Sequence, residues 1–355
     1  MSTKTILIAA GGTGGHVFPG LALAKEFERS GFQVEWLGTE SGLESRLVPV
    51  KGIKLHFFPV FGVRGKSILE KIAAPFRMLI SLFVAIGILR RIRPSLVVGM
   101  GGFVAGPAGL AAYLLRIPLA IHEQNAVPGS TNKILSKISR FTFTAFPVSL
   151  TNAEVVGNPV RLVLEELGEG EKPQNENPKQ VNVLVLGGSR GAKALNTRLA
   201  EAFNQEFDDI QLSIHHQCGS GREQETQDAY ANTDLKVKIM PFIHDMDKEM
   251  SWADFMVCRA GALTVSELAI VGLPAILVPY PYAIDDHQTE NARYLEKAGA
   301  AIVVQETEFE SGLIDSAIKQ IMSDRSVFVS MGKKARAAAM CGAAGKIVSR
   351  CKEVL

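Results

Sequence analysis

An apolar run at residues 6–10, ILIAA, breaks directly into GGTGGHVFPG at 11–20, and the arrangement recurs at 181–192, where an apolar run meets GGSRGA. A short apolar run stopped by glycines and followed by a helix-forming segment reads as strand, tight turn and helix. Strands joined through helices run parallel, because each helix carries the chain back to the edge from which it started. Runs at 33–38, 96–100, 119–122 and 141–146 extend the first series, and runs at 212–216, 237–240, 255–258, 275–279 and 301–304 extend the second. The expected fold is therefore α/β, with two Rossmann-like domains of parallel sheet at 1–160 and 161–339, divided near Gly157-Asn158-Pro159. A length of 355 residues suits two cores of ordinary size.

The glycine turns carry the chemistry. Glycines at 11–15 let backbone amides approach an anion, and the dipole of the helix expected over 21–28 favours negative charge there. The turn is neither a P-loop, since no Gly-Lys-Ser/Thr closes it, nor a dinucleotide fingerprint, since Val17 stands where the third glycine belongs. His16 brings an imidazole that could act on a substrate hydroxyl, or could simply bond to the turn. Two further loops, GMGGFVAGP at 99–107 and HEQNAVPG at 122–129, follow strands and should share the same crevice. In the second half, RAGALTVSE at 259–267 sets a glycine before a helix with Thr264, Ser266 and Glu267. That carboxylate could accept from both hydroxyls of a ribose, or could complement the helix dipole. DDHQTEN at 285–291 offers polar groups for a sugar. Asp245-Met246-Asp247 has the form of a metal-binding Asp-x-Asp pair, but Asp245 reads better as a helix N-cap, and no metal is assigned.

Net charge is only +2, yet residues 1–160 hold 8 Lys and 9 Arg against 8 Glu and no Asp, a net of +9, while 161–355 carry −7. A basic half suits an anionic partner such as a membrane surface, a lipid phosphate or nucleic acid, unless it is only a dipole between domains. The apolar run 78–89 lies between Arg77 and the cluster Arg90, Arg91 and Arg93. It is shorter than the roughly 20 residues of a spanning helix. Apolar residues nearly all round it fit a buried helix, whereas the basic flanks fit one lying on anionic lipid. Residues 6–10 are too short for a signal-peptide core, and four cysteines without metal-ligand spacing fit the reducing cytoplasm.

Taken together and in this order, GGTGGHVFPG, GGFVAGP, HEQNAVPG, GNPVR, GGSRGA, CRAGALTVSELA and DDHQTENA closely resemble the MurG family over essentially the whole chain. That family comprises the peptidoglycan UDP-N-acetylglucosamine transferases acting on undecaprenyl-pyrophosphoryl-N-acetylmuramoyl-pentapeptide. The resemblance implies the GT-B architecture, two Rossmann-like domains facing across a cleft, with a C-terminal helix at 340–355 crossing back to the first domain. It implies that the C-terminal domain binds the donor, and that the N-terminal domain binds the lipid-linked acceptor as a peripheral protein on the cytoplasmic face of the inner membrane.

By resemblance, Thr13, Gly14, Gly15 and Asn125 approach the donor sugar and diphosphate, and Arg161 and Ser189 contact diphosphate or nucleotide. Ile243 lies against the uracil; Ala262, Leu263, Thr264, Val265, Ser266 and Glu267 hold phosphate and ribose; and Gln288 reaches the sugar. Gly101, Gly102 and Phe103, with His16, face the acceptor pyrophosphate. The implied reaction is one inverting displacement giving a β-1,4 linkage, with His16 as base and Glu123 as second choice, and with no cofactor or divalent metal. Other cell-wall synthesis proteins are implied as partners, and nucleic acid is not. Two rival readings are a UDP-N-acetylglucosamine 2-epimerase on the same scaffold and a non-catalytic membrane-recruiting subunit. The apolar, basic segment 75–93 speaks against the first and the complete second domain against the second.

Overall fold

The computed structural model describes residues 3–59, 68–170, 177, 179–188, 191–205, 207 and 210–355, with backbone alone over 68–75. The chain forms two compact units, Met1–Arg161 with Gly342–Leu355, and Leu162–Cys341. Arg161 thus ends the first unit rather than opening the second.

The first unit is built on seven strands: β1 (Thr5–Ala9), β2 (Gln33–Gly38), β3 (Lys54–Phe57), β4 (Leu96–Gly99), β5 (Leu119–Glu123), β6 (Phe141–Thr144) and β7 (Ala153–Val155). They lie in the order β3-β2-β1-β4-β5-β6-β7, and every pairing is parallel. β1 reads as an unbroken apolar run because both of its faces are covered. Ile6, Ile8 and Ala10 pack with Val17, Leu23, Phe27 and Trp36 on one side. Leu7 and Ala9 pack with Leu89, Val97, Ala105 and Ala108 on the other. Trp36 donates its indole N–H to the Ala10 carbonyl at 2.8 Å and lies over Gly20, where an added Cβ would come within 2.6 Å of the ring.

Two edge strands, β3 and β7, were not anticipated from the sequence. KLHF and AEV contain no continuous apolar run, since each borders the sheet and is only partly covered. The helix after β1 also starts at Gly14 rather than Leu21 and runs to Arg29 with Pro19 inside it. Burial of Val17, Pro19 and Gly20 against the sheet outweighs their poor helix propensity.

The second unit has six strands: β8 (Gln180–Leu186), β9 (Gln211–Gln217), β10 (Lys236–Met240), β11 (Phe255–Cys258), β12 (Ala275–Leu277) and β13 (Ala301–Val303). Their order, β10-β9-β8-β11-β12-β13, repeats that of the first six strands of the other sheet, again all parallel. In each unit the chain leaves the central pair, β1 with β4 and β8 with β11, toward opposite edges. Each unit therefore has a crevice beyond the carboxyl ends of that pair.

The helix Ala343–Cys351 packs on the helix Gly14–Arg29 and adds Ile347, Val348 and Cys351 to the core of the first unit. Ile347 is fully buried there. Ile347→Ala should cost about 2–5 kcal/mol, read as a lower urea midpoint for the first unit's transition with that of the second unit unchanged.

Candidate functional sites at the two switch points

In the first unit, two glycine turns meet at the crevice. One follows β1, and the other follows β4 and leads into the helix Gly102–Leu114. Gly101 and Gly102 have φ of 82° and 69°, a region that side chains avoid, and their backbone lies under the His16 ring. A Cβ on Gly102 would stand 3.3 Å from His16 Cε1, and one on Gly101 would stand 3.5 Å from Nε2. Phe103 returns the contact, its ring lying beside Gly12, where an added Cβ would be 3.2 Å away. Residues picked from separate loops, His16 with Gly101, Gly102 and Phe103, are thus brought together. Thr13 is the N-cap of the first helix, and Gly14 and Gly15 form its first turn.

The loop after β5 is organised by Glu123, a buried carboxylate. Its Oε1 accepts from the Asn125 amide at 3.0 Å and from Asn125 Nδ2 at 3.3 Å. Its Oε2 accepts from the Gly129 amide at 3.0 Å and from Asn132 Nδ2 at 2.9 Å. With four donors on two oxygens, Glu123 is placed to shape the loop that carries Asn125. Beside it, His122 is fully buried, donates Nε2–H to the Gly157 carbonyl at 2.9 Å and accepts from Gln124 Nε2 at 3.0 Å. Asn132, in the short helix Ser130–Leu135, and Gln124 were missed in the sequence, where a polar side chain gives no sign that it is buried.

In the second unit, the glycine turn after β8 rests on β9. Gly191, at φ 70°, packs so closely on the Cys218 carbonyl that a Cβ would lie 2.0 Å from its oxygen. Ser189, expected at this turn, lies outside the described residues. Gln217 spans the crest of the sheet, its Nε2 donating to the carbonyls of Gly188 at 3.1 Å and Pro241 at 2.9 Å. It thereby ties the glycine turn to the segment that carries the buried Ile243. Beneath lies a directional chain. Tyr230 O–H donates to His216 Nδ1, His216 Nε2–H donates to Asn196 Oδ1, each at 3.1 Å, and Asn196 Nδ2 donates to the Cys218 carbonyl at 3.0 Å.

The turn after β11 leads into the helix Ala262–Val271, with Gly261 extended at its N-cap. Ala262 and Val265 are buried, so any contact they make with a ligand is through their backbone, while Leu263, Thr264 and Ser266 are half-exposed. Ser266 Oγ donates to the Ala262 carbonyl at 3.0 Å. Glu267 is buried in the second helical turn, which removes the dipole-capping alternative; its charge, after burial itself, helps push the Cys258 thiol up. Gln288 accepts from the Tyr280 amide at 2.9 Å through Oε1, leaving its amide N–H groups to donate elsewhere. Arg259, also missed in the sequence, bonds the Val278 and Pro279 carbonyls at 3.3 and 3.1 Å, pairs with Glu306 and lies over Tyr280.

Family models match both units. The model described as the glycosyltransferase family 28 N-terminal domain matches residues 6–144, and that of the C-terminal domain matches 182–346. A protein of Saccharophagus degradans named UDP-N-acetylglucosamine--N-acetylmuramyl-(pentapeptide) pyrophosphoryl-undecaprenol N-acetylglucosamine transferase is 44% identical, over 99% of this chain and 92% of its own. The crystal structure of Acinetobacter baumannii MurG superposes with a TM-score of 0.82 at 39% identity, over 99% of both chains. The chain belongs to the MurG family. A UDP-GlcNAc 2-epimerase of Neisseria meningitidis, bound to UDP-GlcNAc, has a TM-score of 0.67 at 15% identity over 99% of this chain and 100% of its own, a likeness of fold alone.

Within the MurG family frame, two sequence expectations need revision. Asp245 does occupy the N-cap of the helix Met246–Trp252, but its side chain makes no capping bond and pairs with Lys248 at 2.7 Å instead. The run 78–89 is not a buried helix throughout. It belongs to the helix Ile68–Ile92, where Ala85, Ile88 and Leu89 are buried while Phe76, Met78, Leu79, Ile80 and Phe83 are exposed. The neighbouring helix Gly102–Leu114 adds exposed Leu110, Tyr113 and Leu114. No helix among the described residues is long and apolar enough to cross a membrane.

The two buried histidines set a pH dependence of stability. Burial lowers His122 from 6.5 to about 4, against the raising effects of the Gly157 hydrogen bond and the Glu123 charge, and burial lowers His216 to about 3. Below pH 6.5 the unfolded chain protonates at these positions while the folded one does not, so stability falls as pH drops from 6.5 toward 4. Each contributes up to about 1.4 kcal/mol per pH unit in that window and nothing above it. Urea midpoints measured from pH 7.5 down to pH 4.5 should fall, and His122→Gln should flatten the slope for the first unit's transition.

Proposed function

We infer that the protein transfers N-acetylglucosamine from UDP-N-acetylglucosamine to the 4-hydroxyl of undecaprenyl-pyrophosphoryl-N-acetylmuramoyl-pentapeptide, converting lipid I to lipid II. The observation that carries this is relationship over both units at once. The relative named for that reaction aligns along 99% of the chain, and each unit presents glycine turns at its switch point. A recruiting subunit would not need the second set of turns.

The acceptor hydroxyl attacks the anomeric carbon as the bond to UDP breaks, so an α donor gives a β product. His16, in the first turn of its helix and stacked on Gly101-Gly102, takes the hydroxyl proton. Glu123 is assigned to holding Asn125 toward the donor sugar instead. Gly101, Gly102 and Phe103 face the acceptor pyrophosphate, and Thr13, Gly14 and Gly15 face the donor. In the second unit, the turn at Ser189 and the helix start at Ala262 and Leu263 receive the diphosphate, assisted by Arg161. Ile243 abuts the uracil, Thr264 to Glu267 hold the ribose, and Gln288 holds the sugar. Helix N-termini and a guanidinium stabilise the departing UDP, so the reaction needs no divalent metal.

The apolar face on the helices Ile68–Ile92 and Gly102–Leu114, on the basic half of the chain, suits a peripheral protein docked on an anionic leaflet. Such docking would bring the acceptor side to the cytoplasmic face of the inner membrane and near other cell-wall synthesis proteins. Co-sedimentation with vesicles containing anionic lipid should be strong, and the double variant Phe76→Ser, Phe83→Ser should reduce it at least severalfold without loss of UDP-N-acetylglucosamine binding.

The direct test is transfer of labelled N-acetylglucosamine to a short-chain lipid I analogue, with and without EDTA. Transfer is expected in both, and His16→Ala should lower kcat by about 10²–10⁴. Donor binding without transfer to any lipid-linked muramoyl acceptor would overturn the assignment, and loss of transfer in EDTA would overturn metal independence.

A further inference from the structure

We propose that Glu44 is the positioning residue of the first glycine turn, holding it in the geometry that glycosyl transfer requires; this rests on the transferase reading above. Glu44 opens the helix Glu44–Val50 and is fully buried. Its Oε2 accepts from the Gly12 amide at 2.9 Å, and its Oε1 accepts from the Thr39 amide and the Thr39 hydroxyl, each at 2.8 Å. No lysine, arginine or histidine among the described residues pairs with it. A buried carboxylate without a cation is costly, and an apolar residue of similar volume would often serve stability as well or better. Its presence is explained by what its bonds hold in place.

The space for the carboxylate is cut out by glycine. A Cβ on Gly11 would lie 2.4 Å from Oε1, one on Gly42 2.0 Å from Oε2, and one on Gly38 2.6 Å from the Glu44 Cγ. The tie runs both ways, since the Gly12 carbonyl accepts from the Leu43 amide at 3.4 Å. Gly12 therefore has both backbone polar groups fixed by the segment after β2. From that anchor the chain enters its helix at once, and the Thr13 carbonyl accepts from the His16 amide at 3.2 Å. Moving Gly12 moves His16 relative to Gly101-Gly102, against which its ring lies. The Gly12 amide, being spent on Glu44, is also unavailable to a bound phosphate, so anion binding at this turn falls to the amides from Thr13 onward.

The experiment compares Glu44→Gln with Thr39→Val in the full-length protein, using transfer kinetics with the lipid I analogue, thermal unfolding and amide hydrogen exchange. Glu44→Gln keeps the volume but presents an NH₂ where an acceptor is needed. It should lower kcat by roughly tenfold to a hundredfold, leave the KM for UDP-N-acetylglucosamine within about twofold, and reduce exchange protection at Gly12. Thr39→Val removes one donor from Oε1, leaves Gly12 N–H to Oε2 intact, and should lose stability with much less effect on kcat. Should Glu44→Gln fail to fold, Glu44→Asp, which keeps the charge but withdraws it by one methylene, should show the same kcat loss. Wild-type kcat in a folded Glu44 variant, or loss of kcat in Glu44→Gln and Thr39→Val in proportion to their loss of stability, would overturn the proposal. Absence of transfer by the wild-type protein would instead count against the transferase reading, and the Gly12 exchange comparison would still decide whether Glu44 holds the turn.

Discussion

A parallel strand covered by helices on both faces has no solvent side, so whatever polar chemistry the domain performs must be placed at strand ends. β1 and β8 are in that position, with apolar side chains projecting into helix layers on either side. Every residue assigned to substrate therefore comes from a loop or from the first turns of a helix beyond a carboxyl end. The sheet order then decides which loops become neighbours. It sets the turn after β1 beside that after β4, and the turn after β8 beside that after β11.

Loops rich in glycine would be too mobile to hold substrates unless something fixed them, and buried polar side chains do so here. Glu44 grips Gly12, Glu123 gathers the amides of Asn125 and Gly129, and Gln217 links Gly188 to Pro241. In each case a side chain beneath the surface bonds to backbone above it. Residues at the turns can then be small and buried, with backbone rather than side chain at the crevice, as Ala262 and Val265 are.

Much of this was legible in the sequence, and what was not has a common cause. Strands buried on both faces announce themselves as apolar runs, and β2 and β11 fall at the predicted residues. Edge strands such as β3 and β7 lack that signal. The glycine turns identified the crevices, but of the groups that brace them only Glu123 stood out, and as a candidate base rather than a brace. Glu44 and Asn132 are buried polar side chains of this kind, and nothing in the residue pattern marks their positions as buried. The helix Ile68–Ile92 shows the converse, since its apolar residues are divided between core and surface by packing that composition does not encode.

The return of residues 342–355 to the first unit bears on how the chain is made. During synthesis the second unit, continuous from Leu162 to Cys341, has all its residues outside the ribosome before Ile347 and Val348 emerge to close the first. Domains on one chain ordinarily mature from the N-terminus onward. Here the first to be translated is the last to be completed, and until then the surface of the helix Gly14–Arg29 that receives the terminal helix stays uncovered. The nascent chain thus carries every residue of the second unit before it carries those that complete the core of the first.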